Sequence, residues 1–290
     1  MERRGDRSNM NKIGIYINSS HRAETVKSTI QMPDSWKEFT VIAVPHDQVK
    51  AYEKHNDWPI LGIPEDVPQF LPHQRQWIME NTEYKYVWMM DDDLKFRCRR
   101  TEGDVRLTNC KRKDLRMLLR TLEDTLHSER IPIVGVSTVF GNNRIETSYT
   151  ECCRVTRCYC VNKRIFDKVG ASFAVFEGFV MEDFHVILCF LENGYIDRCI
   201  YTFAQEDAGS NAKGGCSEYR TSKVQERSAF TLAELHPKSV TIQRKTTKGS
   251  WSGFEKDRTG KVMRTDVNIQ WKKAYVPKRD KKSGIAGFLA

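Results

Sequence analysis

Asp91, Asp92 and Asp93 stand directly behind an apolar run, Tyr86-Val87-Trp88-Met89-Met90, with no polar alternation in it. Such a run reads as a strand covered on both faces, the habit of a central parallel strand. Carboxylates at its C-terminal end occupy the position where open α/β sheets bind ligands. Three adjacent carboxylates repel one another and are costly to hold there unless a cation neutralises them. Mg²⁺ or Mn²⁺, the hard cations that accompany phosphates, suit a site made of one or two carboxylates and substrate oxygens. The alternative is a solvated acidic turn.

A second acidic pair, Glu182-Asp183, opens an apolar segment in which Val186, Ile187, Phe190 and Leu191 share one helical face and Asn193-Gly194 supplies the stop. The helix macrodipole alone would favour negative charge there. Their order, a strand ending in Asp-x-Asp and then a Glu-Asp pair opening a helix, points instead to chemistry shared between the two. Cys152, Cys153, Cys158 and Cys160 could hold zinc. Their spacing lacks paired knuckles, however, and Cys158 and Cys160 fall on one face of a strand at 155–161, as small hydrophobes do. Residues 205–216 read as a Gly-rich polar loop, either a lid or a solvent loop. Arg97, Arg99 and Arg100 either balance the carboxylates, touch phosphate or lie on a solvated face.

The elements that must position these groups alternate strand and helix, which predicts a parallel α/β sheet. Strands are expected at 13–17, 39–44, 60–61, 86–90 and 133–140. Helices are expected at 24–32, stopped by Pro33, and at 48–55, 73–81 and 111–127. The last carries Leu115, Leu118, Leu119, Leu122 and Leu126 at helical spacing, a packing face. There is no internal repeat.

With 290 residues, 39% of them hydrophobic, the chain can bury a sizeable core. No run of about 18 apolar residues exists, and residues 1–12 are polar and read as disordered, so neither a membrane span nor a secretory signal is expected. Nine cysteines, an odd number at irregular spacing, suit reduced thiols in a cytoplasm. The net charge of +9 is unevenly placed: residues 238–290 hold 14 Lys and Arg against 4 Asp and Glu, leaving 33 against 34 before them. A basic segment of this kind suggests a polyanion, nucleic acid before anionic membrane. In it Arg244, Lys245, Lys248, Arg258, Lys261 and Arg264 interleave with Trp251 and Trp271, as phosphate contacts and base stacking require. The expected organisation is a main domain at 13–237 and a basic C-terminal extension at 238–290.

Over roughly residues 13–240 the chain resembles the nucleotide-sugar glycosyltransferases of the GT-A fold, a Rossmann-like, mostly parallel sheet flanked by helices. The resemblance implies that Asp91 and Asp93, with Asp92 between them, place Mn²⁺ or Mg²⁺ on the diphosphate of a nucleotide-sugar donor, UDP-sugars first. It implies that Met181-Glu182-Asp183 faces the acceptor, with Asp183 as the base of an inverting reaction and Glu182 orienting it; a retaining reaction would use Asp183 differently. The segment His73-Gln74-Arg75-Gln76-Trp77-Ile78 is similar to the Arg-bearing helix beside the donor, so Arg75 would pair with the diphosphate, Asn18 and Ser19 would pack the nucleoside, and His236 would complete the metal shell. More narrowly, the size and basic tail are similar to phage-encoded TET-associated glycosyltransferases, which glycosylate 5-hydroxymethylated pyrimidines in DNA. That implies a DNA acceptor containing 5-hydroxymethylcytosine, a host-cytoplasmic location and no obligate protein partner. Other acceptors (protein, lipid or polysaccharide) remain open. A sugar nucleotidyltransferase fits less well, because Asn18-Ser19-Ser20-His21-Arg22 lacks a Gly-rich phosphate loop, and a non-catalytic DNA-binding protein leaves Asp91 to Asp93 without a role.

Overall fold

The structure, a computed structural model, describes residues 12–101, 104–207, 219–246, 255–256 and 258–277. Four strands, β1 (Ile13–Asn18), β2 (Thr40–Pro45), β3 (Ile60–Ile63) and β4 (Tyr86–Asp91), run parallel in the order β3-β2-β1-β4. Helices α1 (Val49–His55) and α2 (Leu71–Asn81) connect them. Beyond β4 the sheet turns mixed. Strand β9 (Cys158–Asn162) lies antiparallel between β4 and β7 (Ile133–Thr138), and β10 (Asp197–Glu206) runs parallel to β7. Short β5 (Lys95–Cys98), β6 (Thr108–Asn109) and β8 (Tyr149–Glu151) finish that edge by antiparallel pairing.

The apolar run of β4 has the two-sided burial its sequence demands. Tyr86, Trp88 and Met90 pack on the face covered by α3 (Arg112–His127), through Leu115, Leu118, Leu122 and Leu126. Val87 and Met89 face the other layer, built from α2, α5 (Lys163–Val169), α6 (Glu182–Glu192) and α7 (Ser222–Leu235). Burying each of those leucines stabilises the layer by about 1.5–3 kcal/mol. Helix α6 stops at Gly194, whose φ of +76° an L side chain would resist. Gly135 in β7 is also obligatory, because a Cβ there would lie 2.0 Å from Val155 Cγ1.

Residues 24–32 form turns, where the sequence predicts a helix. Their backbone donors are used elsewhere: the Lys27 and Ser28 amides donate to the Asp92 carbonyl, and the Gln31 side chain bonds Phe96 and Cys110. The segment thereby fixes the acidic turn from outside. Arg97, Arg99 and Arg100 do not balance Asp91 to Asp93. They bind Glu206, the Asn142 and Ile145 carbonyls, and Asp114, respectively.

No break in packing falls at 237/238. Strands β11 (Val240–Thr246) and β13 (Val262–Ile269), with β12 (Glu255–Lys256) paired to β13, form a second sheet that lies on α7 and leads into α8 (Trp271–Ala274). Val240, Val267 and Ala274 are buried in the same core as Val186 and Leu232. Among the described residues, no helix is long and apolar enough to cross a membrane.

Candidate active site

The C-terminal ends of β1 and β4 lie side by side, with Asn18 in register with Asp91, and they open into a cavity of about 1190 Å³. Its lining includes Asn18, Ser19, Arg75, Asp91, Asp92, Asp93, Glu182 and Asp183 from the main sheet and its helices. Thus eight residues from four separate stretches of sequence converge on one space.

The three aspartates divide their work. Asp92 is 2% exposed and turned inward, accepting from the Ser19 hydroxyl and from Arg22 Nη1 at 2.7 Å. Burial raises its pKa, and Arg22 opposes the rise. Asp91 and Asp93 keep side-chain exposures of 30% and 14%. Burial, and after it the neighbouring carboxylates, push Asp91 up to about 6, against the pull of Arg75. Asp91 also pairs with Arg75 at 2.9 Å and Asp93 with Arg22 at 3.6 Å, yet both line the cavity with oxygen donors of the kind a hard divalent cation takes. Beside them, the Asn18 amide is 5% exposed and neither its Oδ1 nor its Nδ2 has a hydrogen-bond partner. An orphaned buried amide costs about 1–3 kcal/mol, which a ligand's polar atoms would relieve.

Arg75, 3% exposed, joins the two acidic elements. Nη1 donates to Glu182 Oε1 at 2.8 Å and Nη2 to Asp91 Oδ1 at 2.9 Å. With both ends of its fork held by carboxylates, it does not stand ready for the bidentate diphosphate contact expected of it. Burial and the neighbouring Asp183 raise Glu182 to about 7, and burial also raises Asp183, opposed first by Arg154 and then by Arg75. Asp183 accepts a hydrogen bond from the Phe184 amide at 2.9 Å and lines the cavity. Among the described residues, Glu182 is held by the Arg75 guanidinium, whereas the hydrogen bond to Asp183 comes from a backbone amide.

Residues 13–214 match the TET-Associated Glycosyltransferase family. The chain belongs to it. Two phage proteins named beta-glucosyl-HMC-alpha-glucosyl-transferase are similar over most of their length. The protein from Enterobacteria phage T2 is 23% identical over 269 residues, covering 88% of this chain and 92% of the relative. That from Enterobacteria phage T6 is 24% identical over 275 residues, with the same coverages of 88% and 92%. A solved glucosyl-3-phosphoglycerate synthase from Mycobacterium tuberculosis, in complex with Mg²⁺ and UDP, aligns with a TM-score of 0.48 at 10% identity, covering 80% of this chain and 83% of that one.

As a TET-associated glycosyltransferase, the protein lines the same cavity with basic residues that the sequence only partly disclosed. Lys245, Arg264 and Trp271, expected to contact nucleic acid, line the cavity. Lys245 and Arg264 both meet Asp266, and Trp271 packs edge-on to Phe184 at 5.7 Å. Arg244, Arg258 and Lys261 are exposed and lie outside the lining. Lys248 and Trp251 lie outside the described residues, as does most of the Gly-rich loop. Sequence patterning did not single out Arg22, Arg154 or Arg157, all of which line the cavity. Arg157 sits at φ +65°, its side chain pairs with Asp207, and its backbone carbonyl accepts from the Asp91 amide at 3.0 Å. The only hint to it was one more arginine among the cysteines before β9.

His236 does not join Asp91 and Asp93. It caps the C-terminal end of α7, is 3% exposed, and bonds His185 and Glu192 instead of lining the cavity. Its contacts with His185 and Glu192 of α6 hold it there. Among the described residues the four cysteines considered for zinc do not form a metal-ligating cluster; Cys158 and Cys160 are buried in the α3 layer.

Proposed function

We propose that this glycosyltransferase moves a sugar from a nucleotide-sugar donor, a UDP-sugar first, to a hydroxyl displayed on hydroxymethylcytosine in DNA, either the bare hydroxymethyl group or a glucose already attached to it. One observation carries the reading: Asp91, Asp93 and Asp183 line a single cavity together with Arg154, Arg157, Lys245 and Arg264. The carboxylates suit a cation-bound diphosphate, and the basic residues a phosphate backbone. The phage relatives named for HMC support the acceptor and favour its glucosylated form.

In this reading Asp91 and Asp93 would hold the divalent ion, which when bound would neutralise charge developing on the leaving diphosphate. Asn18 and Ser19 receive the nucleoside end of the donor. Arg75 keeps Asp91 and Glu182 at fixed separation, so donor and acceptor sides stay in register. Asp183 accepts a hydrogen bond from the attacking hydroxyl. As the new C–O bond forms, the bond from the anomeric carbon to the phosphate oxygen breaks and its electron pair leaves with the diphosphate. An inverted product requires Asp183 to take the proton; a retained one lets the departing phosphate oxygen take it, with Asp183 orienting the hydroxyl.

The test is a donor panel of UDP- and GDP-sugars with Mn²⁺ and three DNA substrates: cytosine, 5-hydroxymethylcytosine and its β-glucosylated form. Digested nucleosides are weighed by mass spectrometry. A hexose-sized gain on a hydroxymethylated base, lost in Asp93→Ala, is the expected result. Donor hydrolysis without any gain on DNA would send the acceptor assignment elsewhere.

A further inference from the structure

Outside the sugar-transfer cavity, three metal-binding side chains meet between α6 and the end of α7. His185 Nδ1 lies 2.9 Å from His236 Nε2, and Cys189 Sγ lies 3.9 and 3.7 Å from the two ring nitrogens of His185. All three donor atoms fall within 4.8 Å of one another. His185 and Cys189 are one helical turn apart, so the same face of α6 presents both. We infer that His185, Cys189 and His236 form a zinc site that clasps α6 to the segment joining α7 and β11.

The geometry suits the ion. Zn–N bonds of about 2.0–2.1 Å and Zn–S bonds of about 2.3 Å place tetrahedral ligands about 3.3–3.7 Å apart. The observed separations bracket that range within the movement of a side chain. Two imidazoles and a thiolate are the donors that favour zinc over Mg²⁺ or Mn²⁺. The surroundings complete the arrangement. Glu192, one turn beyond Cys189, has Oε2 3.0 Å from His236 Nδ1. It therefore accepts a hydrogen bond from that N–H and leaves Nε2 with its lone pair toward His185, as carboxylates behind metal-bound histidines do. Binding would expel the Cys189 thiol proton to solvent and leave the fourth position to water. Glu192 is 33% exposed, so the site has a path to solvent.

None of the three residues lines the cavity, so this ion is distinct from the one proposed at Asp91 and Asp93. Its consequence is positional: Glu182 and Asp183 open the helix that the clasp fixes one turn later.

The experiment is elemental analysis of full-length protein after dialysis against metal-free buffer, followed by reconstitution with Co²⁺. The expected result is roughly one zinc per chain in wild type and in Asp93→Ala, and under a tenth of that in His236→Ala and Cys189→Ser. Cobalt-loaded wild type should show the sulfur-to-cobalt charge-transfer band, and Cys189→Ser should lack it. The near-isosteric serine keeps the test readable if His236→Ala does not fold. Wild type that holds no zinc and gives no such band with Co²⁺ would reduce the cluster to a hydrogen-bonded histidine pair and overturn the assignment.

Discussion

Replacing Arg75 by leucine should destabilise the protein in a way that depends on pH, because it removes the countercharge from two buried carboxylates at once. In the intact site burial pushes Asp91 up to about 6 and Glu182 up to about 7. A carboxylate whose folded pKa is raised adds stability below its unfolded pKa and loses it as pH rises through the folded one, at about 1.4 kcal/mol per pH unit. In wild type that loss therefore ends near about 6 for Asp91 and about 7 for Glu182. Without Arg75 both values climb, so at pH ~8 each ionised carboxylate adds a cost on the order of 1–3 kcal/mol. Solvent at Asp91, 30% exposed, trims the total to about 3 kcal/mol, within the range for breaking a buried pair. Below pH ~6 only lost packing should remain. Urea unfolding of wild type, Arg75→Leu, Glu182→Gln and the double variant at pH ~5 and ~8 measures this, with a coupling of about 1–3 kcal/mol expected at the higher pH alone. An equal penalty at both pH values, or no coupling at either, would refute Arg75 as the charge that holds donor and acceptor sides together.

Three further outcomes follow from the cavity. Mn²⁺ at about a hundredfold its dissociation constant should stabilise the protein by about 2.7 kcal/mol at pH ~8; melting curves at pH ~5, where Asp91 is protonated, should show little shift, and Asp93→Ala should show none. Asn18→Leu removes an unpartnered buried amide, so differential scanning calorimetry should give a melting temperature about 2–4 °C higher, while steady-state kinetics should show the donor KM raised at least about tenfold. Asp183→Asn should lower kcat by about 10²–10⁴-fold with little change in donor KM, and the anomer of the wild-type product, read by NMR, shows whether a base or an orienting group was lost.

The parts of this fold that sequence discloses are those with one strong physical cause. Tyr86 to Met90 has no polar side to show, so burial on both faces follows, and the leucines of α3 announce their face by spacing. Asp91, Asp93, Glu182 and Asp183 stand out by their order along the chain, a strand ending in carboxylates and a later acidic pair opening a helix, and all four line one cavity. What sequence hid depends on contacts between distant segments. Residues 24–32 have a helical pattern but give their amides to Asp92. Arg75 looks like a phosphate ligand until Asp91 and Glu182 are seen on either side of it. His236 has the right chain position for the donor metal and the wrong place in space, because α7 delivers it to His185.

The basic C-terminal segment changes most in meaning. Read as an appendage, it could be cut off to ask whether DNA binding resides there. Yet Val240, Val267 and Ala274 lie in the core with α6 and α7, and Lys245, Arg264 and Trp271 form cavity wall. Deleting 239–290 would open the core and the site together, so lost activity would say nothing about the acceptor. The informative change is to the exposed Arg244, Arg258 and Lys261, which touch neither core nor cavity. If DNA phosphates run along this face, each alanine there should reduce the slope of log affinity against log salt by about 1. Donor KM should stay the same, because these side chains lie outside the donor cavity. Fluorescence anisotropy with a short hydroxymethylated duplex across a salt series gives the slope directly. An unchanged slope in the triple variant would place the backbone path on the Arg154 and Arg157 side of the cavity instead.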